Sequence, residues 1–440
     1  MISKAEATEA FVWMWLPEAT EPVVAGRLDQ DGERLLFTYG ASYRRRGNAI
    51  SIYDPELPLR EGVIAPINGL PMASCIRDGS PDAWGRRVII NRLTAKKPDA
   101  AGVPEISELT FLLQSGSDRI GALDFQASAT EYVPRLAAQA SLDELLEAAS
   151  LIEKGAPLPP ALDQVLNHGT SIGGARPKAL IDDGAKKFIA KFSASNDTYS
   201  VVKAEFIAMR LASACGLNAA SVSMTRAAQK EVLLIERFDR IHTTGGWTRQ
   251  AMVSALTILG LDEMMARYAS YEDLAELIRH RFTEPKRTLK ELYGRICFNV
   301  LCGNTDDHAR NHAAFWDGKM LMLTPAYDIC PQGRTGNKAT QAMLIKGEGR
   351  ASTLATCLAA APDYHLNEVE AAALIEGQIK IIAAHWQEVC DQADLSPVDR
   401  KLFAGRQFLN SYALEGFDGQ KALQDAFGAA RETLIAGAGS

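Results

Sequence analysis

The segment Asn304-Thr305-Asp306-Asp307-His308-Ala309-Arg310-Asn311-His312 follows an apolar run and gathers residues that a purely structural role explains poorly. A second acidic position, Asp328 in Thr324-Pro325-Ala326-Tyr327-Asp328-Ile329, comes after the hairpin-like stretch AAFWDGKMLMLT. An Asp-x4-Asn spacing followed by a further Asp is that of a phosphotransferase. Asp306 would accept the proton of an attacking hydroxyl, while Asn311 and Asp328 would hold the Mg2+ that bridges the nucleotide phosphates. Hard oxygen donors suit this ion, which takes one or two protein ligands and fills its other positions with phosphate and water. The plainer reading is a polar capping loop, because Asp and Asn are favoured at helix ends.

Two segments upstream complete the pattern. Lys191 lies in the apolar strand-like run KKFIAKFSA, and Glu205 follows in the amphipathic run VVKAEFIAMRLASACG. A strand lysine on the nucleotide phosphates, held by a helix glutamate, is the other half of kinase chemistry. A surface lysine with a solvated head is the alternative, and Lys203 competes as the partner of Glu205. Before these comes His168-Gly169-Thr170-Ser171-Ile172-Gly173-Gly174-Ala175-Arg176-Pro177-Lys178. Consecutive glycines let backbone N–H groups close around a phosphate, and Arg176 and Lys178 add positive charge. It matches neither G-x-x-x-x-G-K-[ST] nor G-x-G-x-x-G. Between the two, LLIERFDR is an apolar strand ending in a charged cluster, where Glu236 to Phe238 would offer backbone groups to adenine. Its bland reading is a strand end with a surface ion pair, Asp239 with Arg237 or Arg240, worth little.

Rival chemistries fit less well. His308 and His312 could pair on a zinc ion with Asp328, but the general-base Glu of H-E-x-x-H is replaced by Ala309. A serine hydrolase needs a G-x-S-x-G nucleophile elbow between a strand and a helix; Gly169-Thr170-Ser171-Ile172-Gly173 has that spacing but runs on into the strand KALI. Arg44-Arg45-Arg46 is a local basic run, read as a solvated loop or as a contact for a phosphate backbone.

These residues need elements to carry them. FVWMWL, PVVAGRL and ERLLFTY read as strands, with Asp31-Gly32 a hairpin turn between the last two. A proline-punctuated stretch follows. Within it Ser80 or Asp82 could cap a helix over AWGRRVIINRL. ASLDELLEAASLIEKG has helical spacing up to Gly155. KALIDDG and KKFIAKFSA form two strands around a tight turn, and ASVSMTRAA and KEVLLIERF two more. From about residue 250 helical patterns dominate. The layout is an N-terminal β-rich region with a boundary between 125 and 165, then a small β-containing lobe, then a larger helical lobe.

Composition sets the outer limits. The chain has 440 residues, 47% hydrophobic and 23% charged, which excludes a disordered or fibrous protein. Lys and Arg number 47 against 54 Asp and Glu, a net charge of −7 that argues against bulk electrostatic binding of nucleic acid. Apolar runs fall short of the roughly 20 residues of a membrane span, and the N-terminus does not read as a signal peptide. Seven scattered cysteines contain no C-x-x-C pair and read as buried thiols of a reducing cytoplasm.

In these motifs the sequence resembles the HipA family, the kinase toxins of bacterial toxin–antitoxin pairs. Ser171-Ile-Gly-Gly-Ala-Arg-Pro-Lys178 is similar to its phosphate loop, and Ile189-Ala-Lys191 to its ATP-lysine strand. Glu236-Arg-Phe238-Asp-Arg240 resembles its hinge. Thr305-Asp306-Asp-His308-Ala-Arg-Asn311 and Pro325-Ala-Tyr327-Asp328-Ile329 resemble its catalytic and metal motifs. Asp78-Gly-Ser-Pro-Asp-Ala-Trp-Gly-Arg-Arg87 is similar to its D-x-x-P-D-x-W-G-R-R segment.

The resemblance implies an α/β, two-lobed protein-kinase-like fold. It divides into an N-terminal subdomain (1–150), a small-lobe core (151–245) and a helical lobe (246–440). It implies a Ser/Thr protein kinase using ATP and Mg2+. Asp306 is then the base, and Asn311 and Asp328 the metal ligands. The nucleotide site comprises Gly173, Gly174, Ala175, Arg176, Lys178, Lys191, Glu236, Phe238, His308, Asn311, Tyr327 and Asp328, with Glu205 in support. Ser171 corresponds to a loop serine that members autophosphorylate, a modification whose charge of up to about −2 would pull the loop from its shape. The implied target is an aminoacyl-tRNA synthetase, and the consequence growth arrest and persistence. The implied partner is a helix-turn-helix antitoxin that carries the chain to operator DNA. A lipid or small-molecule kinase, and a co-repressor bracing a DNA-bound antitoxin, are the alternatives.

Overall fold

A computed structural model describes residues 7–95, 106–136, 140–156, 158–159, 162, 174, 176–194, 197–334, 336–417 and 420–438. The chain divides into two compact units. One contains Met1–Asn196, Thr225–Val253 and Phe315–Lys319; the other contains Asp197–Met224, Ser254–Ala314 and Met320–Ser440. The stretch expected as a small-lobe core is therefore shared, its residues 197–224 belonging with the helical unit.

In the first unit, strands β1 (Glu9–Met14), β2 (Val23–Asp31), β3 (Arg34–Tyr39), β4 (Val63–Ile64) and β5 (Leu123–Gln126) form a sheet in the order β4-β3-β2-β1-β5. The expected turn sits at its hairpin. Asp31 pairs with Arg34, and Gly32 takes the left-handed φ of 59° that such a turn needs. A second set pairs β6 (Lys178–Asp182), β7 (Lys187–Phe192) and β9 (Lys230–Glu236) antiparallel; β8 covers Val222–Ala227. Helices α1 (Ala83–Ala95), α2 (Glu108–Gln114) and α3 (Leu142–Glu153) are the longer helices described in this unit.

The core here follows from the apolar spacing of α3. Ser141 and Glu144 form a capping box that starts the helix. Leu145 and Leu146 pack with Ala179, Ala190, Phe192 and Val232 of the sheet. Ala148, Ala149 and Ile152 pack instead with Trp84 and Val88 of α1. Each fully buried large side chain of this kind contributes about 1.5–3 kcal/mol. One helix thus fixes α1 against the strands that carry Lys178 and Lys191.

In the second unit, α4 (Val201–Ala214), α5 (Tyr271–Arg281), α6 (Pro285–Cys302), α7 (Glu368–Gln392) and α8 (Lys421–Gly437) are the main helices. Proline at its first turn opens α6, where the missing N–H costs nothing. Gly303 ends it with φ 74°, and a Cβ there would meet the Gln407 carbonyl oxygen at 2.6 Å. Only glycine meets both demands. The chain therefore turns sharply into Asn304, at the start of the polar segment. Among the described residues no helix is long and apolar enough to cross a membrane.

Candidate active site

On the phosphate side, β6 and β7 place Lys178 directly opposite Lys191. Lys178 is only 4% exposed, and its Nζ lies where a Cβ on Gly174 would be. Gly174 has φ 103°, a conformation L side chains rarely adopt. Its N–H donates to Asp82 Oδ2 at 2.6 Å, and its carbonyl accepts from the Trp84 N–H at 3.3 Å. Arg176 is half-buried beside it. Ser171, Gly173 and Ala175 lie outside the described residues.

The hinge expectation needs a correction at its charged end. Arg237, Asp239 and Arg240 are buried, with exposures of 4%, 2% and 6%, so the pairing is no surface ion pair. Arg237 forks onto both oxygens of Asp239 at 2.9 and 2.8 Å, and Arg240 Nη1 donates to Oδ2 at 2.8 Å. Both arginines also reach Asp118 Oδ1, at 3.1 and 2.9 Å, and Lys187 Nζ meets Asp118 Oδ2 at 3.0 Å. Burial lifts the Asp118 carboxyl, but Arg237, Arg240, Lys187 and Arg249 together hold it well below the usual range. Buried charges persist when each is paired and hydrogen-bonded, and these are. The network anchors the end of β9. There the Arg237 N–H continues the ladder to the Lys187 carbonyl at 2.8 Å, and the Phe238 ring meets Phe315 edge-on at 6.0 Å. Glu236 pairs outward with Lys186 at 2.7 Å.

On the catalytic side, Asp306 and Asp307 are adjacent but have opposite surroundings. Asp306 is an exposed residue whose carboxyl is partly shielded from water, whereas Asp307 is 3% exposed. Asp307 Oδ2 accepts from the Tyr271 hydroxyl, from Asn299 Nδ2 at 2.7 Å and from His312 Nε2 at 2.8 Å. Because a carboxylate only accepts, His312 carries its proton on Nε2 in this contact. Burial raises the Asp307 carboxyl, yet His312 and Tyr271 bring it below its ordinary value. Asn304 joins by donating to Asn299 Oδ1 at 3.0 Å. Asp307 thereby fixes the loop so that Asp306 faces outward.

The two motifs are tied to each other. The Tyr327 hydroxyl donates to the Arg310 carbonyl at 2.7 Å, and Asn311 Nδ2 donates to the Asp306 carbonyl at 3.2 Å. Arg295, buried in α6, donates to the carbonyls of Thr324 and Asn218 at 2.8 and 3.1 Å. Asp328 has φ 60°, a strained backbone for a non-glycine residue and of the kind found at functional sites. The Asp306 carboxyl is raised first by burial; His308 opposes this, and Asp328 and Asp307 add to it. Asp306 and Asp328 therefore sense each other's charge.

This donor set fits Mg2+. Asn311 turns its nitrogen toward the loop, which leaves its oxygen as the ligating atom. Asp328 supplies a carboxylate, and mutual repulsion between Asp306 and Asp328 is what a divalent cation relieves. Zinc is poorly served. His312 is committed to Asp307, and among the described residues no three His, Cys, Asp or Glu side chains gather as a metal set.

Asp306, His308, Asn311, Tyr327 and Asp328 thus lie together in one unit, and Gly174, Arg176, Lys178, Lys191, Glu236 and Phe238 lie in the other. Glu205 is buried on α4 in the second unit, so it and Lys191 belong to different units. The competing Lys203 donates to the Asp394 carbonyl at 2.5 Å. Sequence reasoning missed Asp307 as the anchor of the Asn304–His312 segment and Asp82 as the partner of Gly174. Asp307 had a signal, a doubled acid in which only one residue can be the base. Its partners Tyr271 and Asn299 had none.

Comparison with known proteins points the same way. The chain matches the model of the HipA-like C-terminal domain over residues 170–393 and that of the HipA N-terminal domain over residues 10–126. It is 26% identical over 254 residues to the putative kinase Y4mE of Sinorhizobium fredii, which covers 52% of this chain and 59% of that protein. It is 25% identical over 183 residues to the serine/threonine-protein kinase toxin HipA of Shewanella oneidensis, covering 36% of this chain and 42% of that one. The matched stretch is thus less than two thirds of either relative's length. A solved complex of the Shewanella oneidensis HipA, HipB and operator DNA contains a chain of similar fold. Its TM-score is 0.65 at 19% identity, covering 97% of this chain and 96% of that one. That likeness establishes the expected α/β, two-lobed kinase-like fold and says nothing of activity.

Proposed function

The chain belongs to the HipA family, and from that premise we propose that it is an ATP-dependent serine/threonine protein kinase acting as the toxin of a toxin–antitoxin pair. The observation that carries this reading is the tie between the two catalytic motifs, Tyr327 hydroxyl to Arg310 carbonyl at 2.7 Å, with Asp306 and Asp328 close enough to raise the Asp306 carboxyl.

Asp306 accepts the proton of the attacking hydroxyl as its oxygen bonds to the γ-phosphorus and the bond to the ADP oxygen breaks. A carboxyl with a raised pKa is a better proton acceptor than an ordinary one. Asn311 and Asp328 would hold Mg2+, which when bound neutralises charge on the phosphates. Lys178, Lys191 and Arg176 supply positive charge for the phosphates, and Glu236 to Phe238 receive the adenine. Phe238 offers an apolar ring at that position.

The acceptors we propose are a protein hydroxyl, an aminoacyl-tRNA synthetase being the expected target, and the chain's own Ser171. The expected consequence is growth arrest and persistence in the cytoplasm. The proposed partner is a helix-turn-helix antitoxin that brings the acidic toxin to operator DNA. The HipA–HipB–operator assembly of the Shewanella relative supports this reading. The test is incubation with γ-labelled ATP and Mg2+, alone and with a dephosphorylated lysate, followed by phosphosite mapping. Label on Ser171 and on a protein acceptor is expected. Turnover of a small alcohol with no labelled protein would instead favour a small-molecule kinase.

A further inference from the structure

The segment Asp78–Arg87 has no part in the chemistry above, yet it reaches the phosphate loop. Its turn is held from several directions. Arg119 Nη1 donates to the Gly79 carbonyl at 2.8 Å, while Arg119 Nε is fixed on Asp124 at 2.8 Å. Arg86 forks onto Glu108 at 2.6 and 2.7 Å and donates from Nε to the Pro81 carbonyl at 2.9 Å. Arg87 reaches the Glu153 carbonyl at 2.7 Å, and Trp84 is buried among α1 and α3 residues. Asp82 therefore stands on a rigid post.

We propose that Asp82 is a positioning residue that clasps Gly174, fixing this glycine's backbone where the nucleotide phosphates are received. This rests on the kinase reading. The carboxylate takes the Gly174 N–H at 2.6 Å, and the next residue but one on the same turn, Trp84, returns an N–H to the Gly174 carbonyl at 3.3 Å. Both backbone polar groups of this one residue are thus engaged by the N-terminal segment, at a glycine whose φ of 103° no other residue accepts readily. The Lys178 ammonium fills the space beneath. A glycine has many backbone conformations to lose on binding a phosphate, and a fixed carboxylate on the Gly174 N–H removes that freedom beforehand. The post is continuous with the hinge: the Arg119 carbonyl accepts from Arg237 Nη2 at 2.7 Å while its side chain braces the turn. Adenine and phosphate recognition then share one rigid support.

The full chain and its Asp82→Ala and Asp82→Asn variants test this with three readouts. These are hydrogen exchange at the Gly174 amide, ATP binding and adenosine binding, with thermal unfolding as a check on folding. In Asp82→Ala, exchange at Gly174 should quicken about tenfold and ATP binding should weaken about tenfold, the scale of one hydrogen bond to a charged group. Adenosine, which has no phosphates, should bind within twofold of the parent. Asp82→Asn, which keeps an acceptor, should fall between. Equal weakening of ATP and adenosine, or unchanged exchange at Gly174 in a folded Asp82→Ala, overturns the clasp. A parent protein that binds no ATP would sink the kinase reading instead, and the exchange result would then decide the clasp by itself.

Discussion

Asp307→Asn perturbs the catalytic loop without touching the proposed base. The carboxylate oxygen Oδ2 receives three donors, Tyr271, Asn299 and His312. A carboxamide keeps the shape and can leave its own oxygen at the Oδ2 position, but it is neutral, so all three donors lose a charged acceptor in a buried site. Hydrogen bonds to a charged group contribute about 1.5–3 kcal/mol each, and breaking a buried charged cluster costs about 3–5 kcal/mol. The variant should lose about that much in urea unfolding, a large share of the roughly 5–15 kcal/mol of a typical domain. Asp306 is the next residue, and a displacement of about 1 Å at a reacting group costs about 100-fold. We therefore expect kcat to fall 10- to 100-fold with KM for ATP within twofold.

The pH dependence of stability adds a signature. Asp307 titrates below its ordinary value in the folded protein, so its contribution is full above the unfolded carboxyl value of about 3.9. It is lost as pH falls through the lower folded value. Asp307→Asn should lack that part of the acid limb. Near-parent kcat together with a stability loss under about 1 kcal/mol would refute the anchoring role.

Other substitutions probe other parts of the account. Asp239→Asn leaves Arg237 and Arg240 without their shared carboxylate and should cost about 3–5 kcal/mol in thermal or urea unfolding. It should also flatten the acid limb below about pH 4, since burial raises the Asp239 carboxyl but its arginines hold it lower. Gly174→Ala meets both a left-handed backbone and the Lys178 ammonium, so KM for ATP should rise about tenfold while unfolding changes by about 1–2 kcal/mol. Tyr327→Phe deletes the hydroxyl bond to Arg310, worth about 1 kcal/mol. Steady-state assays should show a several-fold lower kcat and little change in KM.

Much of the fold was legible because local chemistry and tertiary contact agree. Asp31-Gly32 turns where its φ allows, α3 starts at a capping box, and α6 runs from Pro285 to a glycine stop. The proposed catalytic residues could be read as neighbours for a different reason: Asp306, Asn311 and Asp328 sit around a short turn and a short hairpin, where order in the chain nearly is order in space. What could not be read depends on distant segments. Asp118 lies more than a hundred residues from Arg237, and nothing in ERFDR says whether its charges face water or each other. Asp82 looked like a helix cap because capping is the local use of an aspartate before a helix. Its bond to Gly174 spans the whole of α2 and α3. The compact units likewise interleave three chain segments each, which a linear reading from residue 150 onward does not foresee.

The central claim is that Asp306 takes the proton of a hydroxyl attacking ATP. It is tested most directly by measuring ATP binding and γ-phosphoryl transfer side by side in the parent and in Asp306→Asn. The account predicts that the variant binds ATP within a fewfold of the parent and transfers no detectable phosphate to Ser171 or to a protein acceptor. Transfer at a rate close to the parent's would contradict it.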